Sequence, residues 1–156
     1  MTTTQAVIKD FLAQKRVAIV GVSRDPQHFS RAVYNEFVKR GYEVVPVNPA
    51  LKEIDGKPCF DRVQAAPQVD TVLVMTPAAQ TDQVVHDCAE VGVKRVWLYK
   101  AEGQGAVTAS AVEFCEQHGM SVVDGQCPFM FLPQTMWFHR MHGFIKKVSG
   151  SYPPAN

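Results

Sequence analysis

Short apolar runs alternate with stretches of helical periodicity along most of the chain. Five runs are continuously apolar, which is typical of strands covered on both faces of a parallel sheet. These predicted strands span residues 16–21, 43–47, 71–75, 95–98 and 121–123. Three helical patterns, each followed directly by a helix-ending glycine, lie between them at residues 30–40, 81–91 and 107–118. The alternation predicts an α/β fold: a doubly wound, mainly parallel five-stranded sheet with helices on both faces.

The two ends of the chain and one internal segment depart from this alternation. An apolar stripe predicts a further helix over residues 4–14. Residues 49–67 are irregular, with prolines and a glycine, and predict a connecting turn and a short helix. The last thirty residues are rich in aromatic residues and methionine and then become basic. We therefore divide the chain into a domain at residues 1–126 and a C-terminal helical tail at residues 127–156.

Composition and charge limit the classes of partner and compartment. The chain has 156 residues, of which 46% are hydrophobic and 20% charged, and its formal net charge is +1. This balance predicts one globular core and gives no reason to expect nucleic acid or a membrane surface as partner. No apolar run approaches the roughly 20 residues that span a bilayer, and no signal peptide is recognised. The four cysteines form no C-x-x-C pair, so we expect no metal site and a cytoplasmic location.

Ligands of open α/β sheets bind beyond the carboxyl ends of the strands, and this rule selects four loops here. They lie at residues 21–29, 48–49, 76–77 and 99–105. The first loop lies within VAIVGVSRDPQHFSRAV and has only the first glycine of the dinucleotide fingerprint G-x-G-x-x-G. The missing glycines raise the question of which nucleotide such a loop accepts.

In the first loop, Gly21 permits a tight turn and a close approach of ligand to backbone. Ser30 is a candidate N-cap of the following helix, whose free N–H groups attract phosphate. Arg24 and Arg31 are candidate contacts for a pyrophosphate or a phosphomonoester. The alternative is that Gly21 serves only the turn and that both arginines are solvated surface charges.

The second and third loops narrow the class of nucleotide. Asn48 and Pro49 end the second strand, where dinucleotide-binding units usually carry an Asp or Glu for the ribose hydroxyls. A neutral residue suits a phosphorylated ribose, as in NADP or coenzyme A, although a simple turn explains the pair equally well. Thr76 and Pro77 precede two alanines, and these small side chains form a flat surface suited to adenine or a pantetheine arm. Thr81 is a candidate cap of the next helix, although Thr-Pro before a helix is common in α/β proteins.

Five segments, together with the helical pattern at residues 30–41, resemble the CoA-binding domain family, a Rossmann-like module also found at the amino end of the succinyl-CoA synthetase alpha subunit. They are VAIVGVSRDP, GYEVVPVNP, GKPCF, VDTVLVMTPAAQT and GVKRVWL, and the resemblance covers residues 15–126. It implies a Rossmann-like fold that binds coenzyme A or an acyl-CoA, with the first loop facing the phosphates and the other two facing adenosine and pantetheine. The candidate binding residues are Gly21, Val22, Ser23, Arg24, Ser30, Arg31, Asn48, Pro49, Met75, Thr76, Pro77 and Thr81.

No catalytic residue is predicted. Succinyl-CoA synthetase uses a phosphorylated histidine in a second domain that this sequence does not match, and neither G-x-S-x-G nor a clear carboxylate pair is present. Cys127 follows the last strand within DGQC, where the family often has Asp-Arg-Cys. A mixed disulfide with coenzyme A and a structural role both stay open for this thiol. His139 and His142 lack nearby acidic donors for a metal ion.

Alternatives stay open for the packing of the tail and for the function. Residues 132–148 predict an amphipathic basic helix that packs on its own domain or on a second subunit, and a homodimer through this surface is a hypothesis. The leading interpretation is a non-catalytic coenzyme A-binding protein. The alternatives are an NAD(P)-dependent oxidoreductase, which the incomplete glycine fingerprint disfavours, and an interaction module with a vestigial pocket.

Overall fold

A computed structural model describes residues 3–100 and 103–132. The strands are β1 Arg16–Val20, β2 Glu43–Val47, β3 Glu53–Ile54, β4 Lys57–Pro58, β5 Thr71–Val74, β6 Arg95–Leu98 and β7 Ser121–Asp124. The helices are α1 Gln5–Leu12, α2 Phe29–Lys39, α3 Ala78–Glu90 and α4 Ala109–Gln117, with short 3-10 helices at Val63–Ala65 and Pro128–Met130. No helix in these two ranges is long and apolar enough to cross a bilayer.

Five strands form one parallel sheet in the order β2-β1-β5-β6-β7, while β3 and β4 pair separately as a short antiparallel hairpin. From β1 the chain first adds β2 on one side, and it later returns to add β5 on the other side. The direction of winding therefore reverses between β1 and β5. This is the switch point, and the carboxyl ends of its strands form the usual ligand crevice of such sheets.

The two faces of the sheet carry two separate apolar clusters. Val17 and Ile19 of β1 point to the face covered by α1 and α2, where Phe37 is fully buried. Ala18 and Val20 point to the opposite face, which α3 and α4 cover. The alternation follows from the two-residue period of a strand, and burial of one side chain such as Phe37 contributes about 2 kcal/mol. The predicted five-stranded α/β architecture is confirmed.

The first residues of two helices differ from the predictions. Ser30 is not the N-cap of α2, which begins one residue earlier; His28 caps it, and the ring Nδ1 accepts the Ser30 N–H at 3.1 Å. Thr81 is likewise not the cap of α3, because the helix begins at Ala78 directly after Pro77. Proline favours a helix start because its φ is already close to the helical value. Thr81 therefore lies within the first turns of α3 and is fully buried.

The irregular segment predicted at residues 49–67 contains the β3–β4 hairpin and the 3-10 helix Val63–Ala65. The hairpin was not predicted, since two-residue strands leave no periodic signal. The predicted tail helix at residues 132–148 lies outside the described residues except for Leu132, which is buried. The division between the domain and a tail, and the homodimer through that tail, stay predictions.

Candidate functional site

A cavity of about 860 Å³ opens at the carboxyl ends of β1, β2, β5 and β6, at the switch point of the sheet. It extends from the loop after β1, on the α2 side, to α3 and the preceding 3-10 helix on the other side. Six of the residues that line it mark this path: Gly21, Asn48, Val63, Thr76, Gln83 and Tyr99. Its volume falls in the range of small-molecule and cofactor sites.

Most of the predicted site residues line this cavity. They are Gly21, Ser23, Arg24, Asn48, Pro49, Met75, Thr76 and Pro77. Four others do not line it, namely Val22, Ser30, Arg31 and Thr81. All four are buried in the walls around the cavity, so their contacts with the loops indicate what they do there.

Gly21 lies where the loops after β1, β2 and β5 meet, at the centre of the site. Its N–H donates to the Val47 carbonyl at 2.9 Å, which ties the end of β1 to the end of β2. Its φ is +98°, and a Cβ at this position would lie 3.0 Å from the carbonyl carbon and oxygen of Met75. Glycine is required here both by the backbone conformation and by the turn after β5.

The backbone of the loop after β1 is held by buried side chains of α2. The Ser23 N–H donates to Ser30 Oγ at 2.9 Å, and Ser30 is almost fully buried. Arg31 Nη1 donates to the carbonyls of Ser23 and Arg24 at 3.3 and 3.2 Å. Ser30 and Arg31 thus shape the loop from behind, in the region where the sequence predicted them to contact phosphate.

The charge of Arg31 is paired within the protein. Both carboxylate oxygens of Asp55, in the turn of the β3–β4 hairpin, accept from Arg31 Nη2 at 2.9 Å. The Arg31 side chain is 8% exposed, whereas that of Asp55 is 57% exposed. A guanidinium whose N–H groups bind a carboxylate and two carbonyls has little capacity left for a ligand. Arg31 is therefore a structural residue of the loop.

The Asn48 side chain is also occupied by the protein. Its Nδ2 donates to the Val22 carbonyl at 2.8 Å, and its Oδ1 accepts the Ala50 N–H at 2.8 Å. The amide therefore bridges the loops after β1 and β2. The residue directly after β2 is thus an amide, where ordinary dinucleotide sites carry the carboxylate that binds the ribose.

Thr81 supports the turn after β5 from inside α3. Its Oγ1 lies 3.4 Å from Thr76 Oγ1 and 3.5 Å from the Pro77 carbonyl oxygen, which is at the edge of hydrogen-bonding distance. Thr76 and Pro77 line the cavity, and Thr81 packs beneath them. Its contribution is to the shape of the turn.

Several cavity residues were not predicted from the sequence, among them His28, Asp61, Arg62, Gln83 and Asp87. Phe60 pairs with the end of β2: its N–H donates to the Pro46 carbonyl at 3.0 Å and its carbonyl accepts from Asn48 at 2.8 Å. This pairing places the next two residues, Asp61 and Arg62, at the rim. Only a long-range contact carries this information, so local sequence patterns do not reveal it.

The α3 side of the cavity is a polar helix face. Asp87 Oδ1 accepts from Gln83 Nε2 at 2.9 Å and from Gln64 Nε2 at 2.8 Å, which fastens the 3-10 segment to α3. Gln80, Gln83 and Asp87 repeat at helical spacing and line the cavity together. This spacing is visible in the sequence, but it lies outside the four strand-end loops that predict the site.

Burial makes three of the thiols poor nucleophiles. Burial raises the pKa of the Cys59 thiol, whose Sγ lies 3.8 Å from the Asn48 carbonyl oxygen. Burial also raises the pKa of Cys88, and that of Cys115 to about 12. All four cysteines, including Cys127, are buried, and none of them forms a disulfide. Within residues 3–100 and 103–132, no three His, Cys, Asp or Glu side chains cluster to hold a metal ion.

The architecture and the position of the cavity define a Rossmann-like nucleotide-binding domain. A family model described as a CoA binding domain matches residues 15–133. The chain belongs to this CoA-binding domain family.

Relatives and solved structures agree with this assignment. The chain is 29% identical over 126 residues to the uncharacterized protein YneT of Bacillus subtilis, covering 80% of this chain and 90% of that protein. It is 27% identical over 126 residues to the alpha subunit of ADP-forming acetate–CoA ligase II of Pyrococcus furiosus, covering 75% of this chain but only 27% of the subunit.

Two solved structures share the fold. A hypothetical protein of Pyrococcus horikoshii superimposes with a TM-score of 0.73 at 24% identity, covering 81% of this chain and 87% of the other. A conserved hypothetical protein of Pyrococcus furiosus superimposes with a TM-score of 0.67 at 29% identity, covering 73% of this chain and 96% of the other. The predicted Rossmann-like fold is confirmed.

Proposed function

We propose that the protein binds coenzyme A or an acyl-CoA in the cavity at the carboxyl edge of the sheet and does not itself transform the ligand. One observation carries the proposal. The cavity lies at the switch point, has Asn48 and not an acidic residue directly after β2, and has an arginine on each side of the sheet, Arg24 and Arg62. Neither guanidinium forms an ion pair with any residue that the structure describes.

The two arginines suit a ligand with two separate phosphate groups. Coenzyme A has a diphosphate and a ribose 3′-phosphate, whereas NAD has only the diphosphate. Arg24 belongs to the loop after β1, where backbone N–H groups at the start of α2 also attract anions. Arg62 lies beside the end of β2, the strand end that faces the ribose in Rossmann-like sites. We therefore assign the diphosphate to Arg24 and the 3′-phosphate to Arg62.

The other charged residues that line the cavity favour the same orientation of the ligand. Asp61 and Asp87 line the α3 side of the cavity, and their carboxylates disfavour any phosphate there except one that Arg62 holds. The polar helix face of α3 suits the nucleobase, which offers hydrogen-bond donors and acceptors but no charge. The diphosphate then falls to the loop after β1 and the pantetheine arm leads past Tyr99.

The absence of catalysis is part of the proposal. The raised pKa values of Cys59, Cys88 and Cys115 support it, because only a thiolate is an effective nucleophile. A cytoplasmic location is proposed on related grounds, since free cysteines are typical of reducing compartments.

Thermal unfolding with one ligand at a time tests the proposal. Coenzyme A, acetyl-CoA, dephospho-CoA, NAD and NADP are each added at the same concentration. A ligand at a hundred times its Kd stabilises the fold by about 2.7 kcal/mol, a shift of roughly 5–10 °C for this size. We expect the largest shifts with coenzyme A and acetyl-CoA and a smaller shift with dephospho-CoA.

The other outcomes separate the alternatives. A shift with NADP alone would replace the proposal by an NADP-dependent function. No shift with any of the five ligands would favour an interaction module whose pocket is vestigial. Conversion of acetyl-CoA, followed by mass spectrometry of the ligand after incubation, would contradict the absence of catalysis.

A further inference from the structure

His28 belongs at once to the helix end and to the cavity. It is the N-cap of α2, and it is also one of the residues that line the cavity. Its Nδ1 accepts the Ser30 N–H at 3.1 Å and lies 2.8 Å from Ser30 Oγ. Ser30 Oγ in turn accepts the Ser23 N–H at 2.9 Å. One continuous set of hydrogen bonds thus runs from the loop after β1 to the imidazole ring.

These bonds determine where the ring proton lies. Ser30 N–H is a donor, so Nδ1 must accept; a proton on Nδ1 would leave that N–H facing another donor at the buried end of the helix. Ser30 Oγ accepts from Ser23 and therefore has its own proton free to donate to Nδ1. The neutral ring satisfies every partner only when its proton is on Nε2.

The proton on Nε2 is directed away from the helix end, because Nδ1 faces Ser30. His28 lines the cavity and is exposed. Nε2–H is therefore the ring N–H left for a molecule bound there. A serine or asparagine cap would satisfy the helix equally well, so capping alone does not account for a histidine here.

We infer that His28 is a ligand-binding residue that donates its Nε2–H to a diphosphate oxygen of bound coenzyme A. The inference rests on the proposed function and adds to it a neutral donor beside the cationic Arg24. Ser23 and Ser30 act as positioning residues, because they hold the ring in the tautomer that donates. A hydrogen bond to a charged oxygen is among the stronger polar contacts in proteins.

Substitution of His28 separates the two roles of the ring. His28→Ser keeps an N-cap acceptor for the Ser30 N–H but is too short to present a donor in the cavity. We expect its unfolding temperature without ligand to stay close to that of the unmodified protein and its Kd for coenzyme A to rise about tenfold. The matched control is Thr4→Ala, which removes the N-cap of α1; it should lower the unfolding temperature and leave the Kd unchanged.

Nitrogen-15 NMR of the unmodified protein tests the tautomer directly and does not depend on any variant folding. Once the spectra show the ring to be neutral, His28 should have a protonated Nε2 and an unprotonated Nδ1. Added coenzyme A should shift the Nε2 and Hε2 resonances, whereas adenosine, which lacks phosphate, should not.

Each contrary result identifies what has failed. An Nδ1–H tautomer, or equal Kd values for His28→Ser and the unmodified protein, would overturn the role of His28 while leaving coenzyme A binding intact. No binding of coenzyme A by the unmodified protein would overturn the proposed function, and the role of His28 with it.

Discussion

The cavity has two walls of different construction. The loop wall, residues 21–28, has its backbone fixed by buried groups of α2 and by the amide of Asn48. The helix wall consists of residues 61–63 and the cavity face of α3, and it carries the exposed charged side chains of Asp61 and Arg62. Its internal bonds join side chains to side chains, as between Gln83 and Asp87.

This difference indicates that the two walls contribute to ligand binding in different ways. A backbone held by several hydrogen bonds presents its N–H groups without losing conformational freedom on binding, which suits the diphosphate. Exposed long side chains must be ordered when the ligand binds, and they contribute selectivity more than affinity. Changes in the groups that hold the backbone of the loop wall should therefore affect stability and binding together, whereas changes in the exposed side chains of the helix wall should affect binding alone.

The largest expected effect follows from Gly21→Ala. The new methyl group would meet the Met75 carbonyl at 3.0 Å, in a left-handed backbone conformation at φ +98°. Backbone strain and overpacking together should lower the free energy of unfolding by about 3 kcal/mol and abolish the thermal shift with coenzyme A. Chemical denaturation and the ligand shift measure the two effects.

Gly41→Ala is the matched control. Gly41 also has a left-handed φ, +89°, but nothing lies within 4 Å of an added Cβ. Strain alone should cost about 1 kcal/mol and leave coenzyme A binding unchanged. Equal losses of stability in the two variants would show that the close approach of the loops at Gly21 is unimportant.

A somewhat smaller effect is expected from Arg31→Ala. Loss of the guanidinium leaves the Ser23 and Arg24 carbonyls without their buried donor and frees Asp55, which is exposed enough to be solvated. We expect a loss of about 2 kcal/mol of stability together with weaker binding of coenzyme A. Lysine should not rescue it, since an ammonium cannot form the same forked contacts.

The control for Arg31 is Arg40→Ala, on the same helix. Arg40 pairs with Glu36 one turn away at 2.9 Å and lies outside the cavity. Pairs of this kind contribute about 0.5 kcal/mol, so stability should fall slightly and binding should not change. Unchanged binding in Arg31→Ala as well would mean that the loop keeps its shape without the arginine.

The helix wall is tested by Arg62→Ala. Arg62 is exposed and makes no ion pair among the described residues, so the free energy of unfolding should stay within about 0.5 kcal/mol of the unmodified value. The Kd for coenzyme A should rise about tenfold, a loss of about 1.4 kcal/mol. The Kd for dephospho-CoA should not change, and calorimetric titration with both ligands measures the difference. An equal loss of affinity for both ligands would contradict the assignment of Arg62 to the 3′-phosphate.

The sequence predicts the sheet better than the walls of the cavity. The strands at residues 43–47 and 95–98 match the structure, because a buried parallel strand is marked by its own run of apolar residues. The loops that line the cavity follow from the same pattern, since the carboxyl ends of parallel strands meet at one edge. Gly21 was recognised correctly as a turn position.

The roles of individual side chains depend on contacts that no local pattern reveals. Arg31 was predicted to bind phosphate, but it is paired with Asp55, which lies twenty-four residues away in the sequence. His28 was overlooked, since histidine is not among the usual N-cap residues. Arg62 reaches the rim only through the pairing of Phe60 with β2. For Arg31 and Arg62 the decisive partner is distant in sequence, so their burial and charge pairing could not be assigned from composition.

The smallest expected effect concerns the back of the helix wall. Asp82 on α3 accepts from Ser110 and Thr108 Oγ groups at 2.6 Å, and these hydrogen bonds lower the pKa of its carboxyl. Because folding lowers this pKa, the ionised carboxyl stabilises the folded state at pH values above 3.8, the ordinary pKa of the group. This stabilisation is lost as the pH falls from 3.8 through the lowered pKa. Asp82→Asn should cost less than about 1 kcal/mol at neutral pH. The difference from the unmodified protein should vanish in acid, as followed by urea unfolding at several pH values; a constant difference would contradict it.

The β3–β4 hairpin is small, but it contacts and holds a segment that lies much earlier in the chain. It forms no part of the main sheet, yet its turn holds Asp55 at a positive φ of 51°, where the carboxylate meets Arg31. An insertion after the second strand thus acts as a brace for a segment near the beginning of the domain. Anyone who transplants residues 17–33 to another scaffold, or trims the hairpin in a minimal version, must move or keep both pieces as a unit.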